Sequence, residues 1–334
     1  AVRRMESEAA GKLRGIGGSC TIERAAAAQL ETAELRFDPS GDAAILIGTT
    51  PHGQGHETIY KQIVCGTLGL DPERVRVIEG DTDAVSFGTG TGGSRTATIG
   101  SAAVLRAMEK VIDKTKKIAA HTMEVAKEDV TFEEGQFTIA GTDRSMTFLD
   151  VAALAFDPFK LPPDIEPTLA ELASYSPEVE NFPNGCHIVE VEIEPETGEV
   201  ELSRYSVVDD CGLELNPLLV KGQVHGGIAQ GVGQALMENM VYHRDNGQLI
   251  SGSFMDYSMP RANDLCDYDV GAYPVLTKTN PLGVKGVGEA GTVGALAAVM
   301  NAINNALAAL GIEHFKMPAT PDRVWKAIDE ARSD

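Results

Sequence analysis

Basic residues are scarce in this chain. Its 334 residues carry 28 Lys and Arg against 49 Asp and Glu, a net charge of −21. A surface of that sign repels phosphate backbones, which excludes general nucleic-acid binding. Cysteine is scarcer still. The five, Cys20, Cys65, Cys186, Cys211 and Cys266, include no C-x-x-C, so zinc and iron–sulfur spacings are missing. They read as reduced thiols of a cytoplasmic protein. No uninterrupted apolar run approaches the ~18 residues expected of a transmembrane segment, and the opening AVRRMESEAAGKLRG lacks the apolar core of a signal peptide. The first residue is Ala rather than Met, as expected of a fragment or a processed chain. There is no G-x-x-x-x-G-K-[ST], hence no P-loop, and the G-x-G-x-x-G at Gly88–Gly93 lacks the flanking βαβ pattern of a dinucleotide fold.

Glycine, by contrast, is abundant: 35 residues, against ~7% in an average chain. Between the glycine clusters the periodicity alternates between strand pairs and helices. AELRFDPSGDAAILIG and HIVEVEIEPETGEVELSRYSVVDD are strand–turn–strand patterns, and FEEGQFTIAG and VYHRDNGQLISGSF are further hairpins. Helices are expected over about 54–68, 95–124 and 217–240, and in a stretch with Val293, Leu296, Met300, Ile303 and Leu307 on one face. Tight turns between strand pairs predict an α+β fold of two lobes, each mainly antiparallel sheet with helices laid on it. The boundaries expected are 1–157 for the first lobe, a proline-rich connection at 158–184, and 185–334 for the second.

Three glycine-rich segments stand at helix starts: Gly53-Gln54-Gly55-His56-Glu57-Thr58, Gly88 through Thr96, and Gly286-Val287-Gly288-Glu289-Ala290-Gly291-Thr292. Glycine lets backbone N–H groups approach a ligand, and a helix N-terminus offers unpaired donors to an anion. Tight packing alone would also call for such glycines. Three in one chain point to one large, anionic, hydrogen-bonding ligand.

Taken in order, GQGHET, GDT, GGSRT, the NP…GQVHGG segment and GVGEAGT resemble the molybdenum hydroxylases, the family of xanthine dehydrogenase, aldehyde oxidase and aerobic carbon monoxide dehydrogenase large subunits. The likeness runs nearly the whole chain and implies the C-terminal molybdopterin-binding part of such a subunit. The cofactor implied is molybdopterin, as its cytosine dinucleotide, with molybdenum held through the pterin and no direct protein ligand to the metal. The cofactor-binding residues implied are Gly53, Gln54, Gly55 and His56, then Gly93, Ser94, Arg95 and Thr96, then Gln223 and Gly288. Glu289 matches the family's catalytic glutamate, a general base acting on water-derived oxygen that attacks an electron-poor carbon. An acid at a helix start is also what the helix dipole favours. His225 reads as a packed helix residue. The resemblance further implies a missing N-terminal half, or a separate chain supplying it, and iron–sulfur and FAD subunits as partners. It implies a small-molecule substrate (an aldehyde, an N-heterocycle or carbon monoxide) and no activity for this chain alone. A non-catalytic cofactor carrier or scaffold of the same fold is the alternative.

Overall fold

The computed structural model of the chain describes residues 2–26 and 29–333. In chain order the elements begin with helix α1 (Val2–Ala9), strands β1 (Leu13–Ile22), β2 (Glu31–Phe37) and β3 (Ala43–Ile47), helix α2 (His56–Leu68) and strand β4 (Val75–Glu79). Helix α3 (Ser101–Thr122), strands β5 (Val130–Glu133), β6 (Gln136–Ile139) and β7 (Ser145–Thr147), and helix α4 (Phe148–Leu154) follow. The rest is β8 (Ala170–Tyr175), β9 (Asn184–Glu194), β10 (Glu199–Asp210), α5 (Pro217–Leu236), β11 (Tyr268–Ala272), α6 (Ala290–Leu307) and α7 (Pro321–Ser333).

The fold is α+β, as the turn spacing predicts, in two compact units. The first unit takes Ala1–Arg24, Phe182–Leu276 and Val287–Asp334; the second takes Ala25–Asn181 and Thr277–Gly286. The expected boundaries at 157 and 184 are therefore corrected. β1 pairs with β9 along its whole length, from Leu13↔Ile193 to Ile22↔Asn184, which draws the N-terminal residues into the unit built by the C-terminal half. The proline-rich stretch is not a connection either: it contains β8, which pairs antiparallel with β2.

The first unit is a sheet of order β1-β9-β10-β11 with α5 and α6 on its inner face. β9 and β10 alternate, turning Val189, Val191, Ile193, Leu202, Tyr205 and Val207 inward. The helix face predicted from large apolar residues is only partly the buried one. Val293 is exposed, while Gly294, Ala295, Ala298, Val299, Ala302, Ile303 and Ala306 are buried. The reason lies in β1. A Cβ on Gly15 would stand 1.9 Å from the Ala302 carbonyl oxygen, and one on Gly17 would stand 2.2 Å from the Ala302 amide nitrogen. Glycine on the strand meets alanine on the helix, so α6 settles on its small-residue face. Asn305 accepts from the Ile16 amide at 3.1 Å, and Asn301 donates to the Gly18 carbonyl at 2.9 Å, so α6 also satisfies backbone groups of this edge strand. By length and composition Ala290–Leu310 would suffice to cross a membrane; here it is the core helix of its unit. α5 buries Val224, Ile228, Val232 and Leu236 but ends there, leaving Met240 exposed. The hairpin expected around Asn246-Gly247 shrinks to a single bridge, Tyr242↔Leu249.

The second unit holds a sheet of order β4-β3-β2-β8 and a three-stranded sheet β5-β6-β7. β3 is buried on both faces, and α3 covers the larger sheet with Val104, Ala107, Met108 and Val111. Arg106 and Lys110 of α3 reach the free edge of β8, donating to the carbonyls of Ser174 (3.1 Å) and Leu172 (2.6 Å). Those carbonyls are thereby closed to a further strand.

Two outcomes follow. Gly17→Ala drives a methyl into the backbone of α6, where neither neighbour can rotate away. Overpacking against side chains typically costs about 1–3 kcal/mol, so a loss of at least about 3 kcal/mol is expected in chemical denaturation. On the outer face of the first sheet, α1 is held through Glu192, which accepts from Lys12 (2.7 Å), Ser7 (2.6 Å) and Arg14 (2.9 Å). These bonds, led by Lys12, lower its pKa from 4.5 to about 2. Since the folded value lies below the unfolded one, the stabilisation is complete above the unfolded value and fades as pH falls from 4.5 toward about 2. Amide exchange in residues 2–9 should accelerate across that window, before the core opens.

Candidate functional site

Each unit carries its own group of the residues singled out by sequence. In the second unit two glycine loops precede helices. The first runs through Gly53 and Gly55, the latter the left-handed N-cap of α2. Gln54 braces its own loop: its Nε2 donates to the Thr50 carbonyl at 3.2 Å and its Oε1 accepts from the His52 amide. His56 is buried and points the other way, into the unit. Its Nδ1 lies 2.9 Å from Glu79 Oε1, which also accepts from Thr49 Oγ1 at 2.7 Å. Thr49 lies 3.1 Å from the hydroxyl of Tyr60, whose pKa burial raises. A closed polar network thus anchors the start of α2, and its members Glu79, Thr49 and Tyr60 carry no motif that sequence reading could flag.

The second loop, Gly88 to Arg95, leads into a π-turn at Thr96–Gly100 and then α3. Gly88 packs backbone to backbone on Gly48, where a Cβ would be 2.2 Å from the facing Cα. Gly93 and Ser94 both take left-handed φ, 60° and 51°. Gly92 and Gly93 are open to space: a Cβ at either would meet nothing within 4 Å. Arg95 is not open. It is 2% exposed, with Nη1 2.9 Å from Glu31 Oε2 and Nη2 3.2 Å from the Leu30 carbonyl, and Nη1 also donates to the Gly90 carbonyl. Thr96 is buried against Thr91 at 3.0 Å. The loop surface is therefore Gly92, Gly93 and Ser94, and Arg95 and Thr96 hold it from beneath. Gly286 supports the same loop, since its own Cβ would stand 2.1 Å from the Ser94 carbonyl oxygen. Sequence reading missed Glu31, a lone acid whose partner lies 64 residues away.

In the first unit the residues gather at the starts of α5 and α6. Asn216 caps α5, accepting from the Leu219 amide at 3.1 Å, with Pro217 in the first turn. Gln223 lies half-buried in the second turn. His225 stacks edge-on to Tyr268 at 5.2 Å between centroids. Burial, with Lys221 adding to it, lowers the His225 pKa, so the ring is neutral near pH 7, and its buried Nε2 has no hydrogen-bond partner. Gly291 abuts α5: its Cβ would be 2.5 Å from the Val224 carbonyl oxygen. Thr292 Oγ1 donates to the Gly227 carbonyl at 2.9 Å. These contacts fix Glu289, the N-cap residue of α6, beside the turn that carries Gln223. Glu289 is exposed and its side chain does not cap its own helix; Gly288 next to it is exposed too.

Residues 1–266 match the family model described as the molybdopterin cofactor-binding domain. The chain belongs to that family. It is 34% identical over 317 residues to the carbon monoxide dehydrogenase large chain of Hydrogenophaga pseudoflava, covering 95% of this chain and 39% of that one. It is 34% identical over 340 residues to the nicotine 6-hydroxylase large subunit of Paenarthrobacter nicotinovorans, covering 97% and 41%. Among solved structures, quinoline 2-oxidoreductase of Pseudomonas putida 86 superposes with a TM-score of 0.90 at 34% identity, over 98% of this chain and 43% of that chain. The molybdenum hydroxylase resemblance carried by the five motifs is thereby borne out, and this chain spans about two-fifths of the length of the relatives it matches.

The residues of this member of the molybdopterin cofactor-binding family fit a molybdopterin by the chemistry of their donors. The π-turn before α3 and helix α5 begin with no acid in the first turn, so their positive ends are uncompensated from within and suit an anion. Gly53, Gly92 and Gly93, and Gly222 and Gly226 on α5, present backbone that no Cβ contact crowds. His225 Nε2 is a buried polar atom still to be satisfied. The buried brace beneath Ser94 is open to a direct test. Glu31→Ala leaves the Arg95 guanidinium buried without its carboxylate, and about 3–5 kcal/mol of stability should be lost, measured as a shift of the urea midpoint.

Proposed function

We propose that this chain is the molybdopterin-binding part of the large subunit of a molybdenum hydroxylase. Such an enzyme hydroxylates an electron-poor carbon of an aldehyde or N-heterocycle, or oxidises carbon monoxide, with oxygen drawn from water. The observation that carries the reading is Glu289. It is an exposed carboxylate at a helix start, flanked by Gly288, not spent on capping, and fixed by the Gly291–Val224 and Thr292–Gly227 contacts. A carboxylate built that way is positioned to take a proton from a reacting group.

When bound, the cofactor supplies a two-electron acceptor and the place where water-derived oxygen meets substrate. The residues here do the rest. Gly93 and Ser94, at the start of the π-turn and α3, would hold the anionic parts of the ligand with backbone donors, braced by Arg95 and Thr96. Gly53, Gln54 and Gly55, with His56 anchoring them, would offer further donors in the second unit, and Gln223 and Gly288 in the first. Glu289 Oε would accept and return the proton. The names of relatives, carbon monoxide dehydrogenase and nicotine 6-hydroxylase, support the reaction class and leave the substrate open among these small molecules. The proposal extends to a cytosine dinucleotide form of the cofactor and to a cytoplasmic location. It also extends to partners: the other part of the large subunit completing the cleft, with iron–sulfur and flavin subunits taking the electrons.

The test is Glu289→Gln in the full enzyme complex, with molybdenum counted per chain. Turnover should fall by about 10²–10⁴-fold with molybdenum unchanged, the range for loss of a positioned general base. Unchanged turnover would refute the catalytic role and favour a cofactor carrier of the same fold. Loss of molybdenum together with turnover would make Glu289 a cofactor-retention residue instead.

A further inference from the structure

β1 and β9 bring two thiols together on the outer face of the first unit's sheet. Cys20 and Cys186 are directly opposite in the antiparallel register, with their sulfurs 3.9 Å apart. Cys20 is exposed and Cys186 half-buried. The other three cysteines lie elsewhere: Cys65 on α2, and Cys211 and Cys266 outside the named elements, with Cys211 so deeply buried that its thiol is pushed up to about 12.

The ladder fixes the kind of pair this is. The Glu23 amide donates to the Pro183 carbonyl at 2.9 Å, which makes 23/183 a hydrogen-bonded pair. Hydrogen-bonded and non-bonded pairs alternate along antiparallel strands. Three pairs further on, Cys20 and Cys186 therefore form a non-hydrogen-bonded pair, whose Cα atoms stand about 4.5 Å apart. A disulfide tolerates Cα separations of about 4.4–6.8 Å. The strands need not move for the sulfurs to join.

The surroundings leave the pair reachable. α1 meets this face at Glu190 and Glu192, through Arg3 and Ser7, beside Arg14 of β1. Around the cysteines the face is bare and apolar: Ile22, Ile188 and Val208 are all exposed, and Val208 is the neighbour of Cys186 on β10. Burial, and then the neighbouring Cys20, raise the pKa of Cys186. The two thiols are thus unequal. Cys20 meets solvent first, and Cys186 is the thiol waiting beside it.

We propose that Cys20 and Cys186 are a redox-active dithiol, oxidised by a low-molecular-weight disulfide of the glutathione type to a cross-strand bond that staples β1 to β9. The Cys20 thiolate attacks the oxidant, forming a mixed disulfide and releasing one thiol. Cys186 then attacks the Cys20 sulfur, closing the protein disulfide and releasing the second thiol. Two protein thiols are oxidised and one small disulfide is reduced to two thiols, so atoms and electrons balance. The product ties down an edge strand whose one lateral partner is β9 and on whose glycines, Gly15 and Gly17, α6 rests.

The experiment uses the enzyme as isolated, reduced and then exposed under native conditions to glutathione disulfide, with peptide mass spectrometry as the readout. Two thiols per chain should be lost together, a Cys20–Cys186 linked peptide should appear, and no glutathione adduct should persist. Amide exchange across residues 13–22 should slow in the oxidised form. Cys186→Ser should trap glutathione on Cys20, and Cys20→Ser should leave Cys186 unmodified. A stable adduct on Cys20 in the unmutated enzyme overturns the proposal, and so does a linked peptide that forms only after denaturation. So does the absence of any reaction at Cys20, which would mean that the face is covered in the assembled enzyme.

Discussion

The first unit depends on how closely α6 can approach its neighbours, and glycine sets that distance on every side. Gly15 and Gly17 of β1 admit the backbone of α6 at Ala298 and Ala302. Gly291 and Gly227 let α6 and α5 touch main chain to main chain. Gly294 makes room for the buried ring of His187, whose Nδ1 bonds the Tyr205 hydroxyl at 2.7 Å. Contact at this range leaves no soft side chain to absorb an error, so the helix has one seat. A rigid seat is what the proton-transfer role proposed for Glu289 would need, since misplacement by about 1 Å can cost on the order of 10² in rate. Glu289 is exposed; the helix start it occupies is seated by Gly291 and Thr292, two and three residues on.

The second unit reaches the same end by charge rather than by close approach. Its glycine loops are flexible by composition, and each is fastened from below. One hangs on the buried Arg95–Glu31 pair and the other on His56, Glu79, Thr49 and Tyr60. A buried pair is weak evidence of net stabilisation, because desolvation offsets much of its attraction. Its use here is geometric. The guanidinium bonds the carbonyls of Leu30 and Gly90 as well as Glu31, so it ties a chain segment before β2 to the loop before α3. Arginine in this motif thus orders the backbone that would meet an anion, and leaves the loop's surface to Gly93 and Ser94.

Much of this was legible in the sequence, and the failures share a cause. Strand pairs with strong alternation and a Gly-bearing turn, such as β2–β3 and β9–β10, stood out because both partners and the turn are local. β8 did not, because its few residues sit among prolines and their partner is β2, more than a hundred residues away. The unit boundaries failed for the same reason: the pairing of β1 with β9 is invisible in a walk along the chain. The buried face of α6 was misjudged by ranking residues on size. Val293 looks like core and is exposed, whereas Gly294 and Ala298 look neutral and are buried. Hydrophobic periodicity assumes that burial follows bulk, and it misleads where the facing strand offers glycine.

The motif glycines themselves divide in a way that composition could not show. Gly53, Gly92 and Gly93 border open space, while Gly88, Gly286 and Gly291 are filled by Gly48, Ser94 and Val224. The first kind leaves backbone exposed; the second lets chain pack on chain so that the exposed kind stays put. An open segment and a packing segment therefore read alike as sequence. In Gly286-Val287-Gly288-Glu289, Gly286 is of the packed kind and seats the Ser94 loop in one unit, and Glu289 opens α6 in the other.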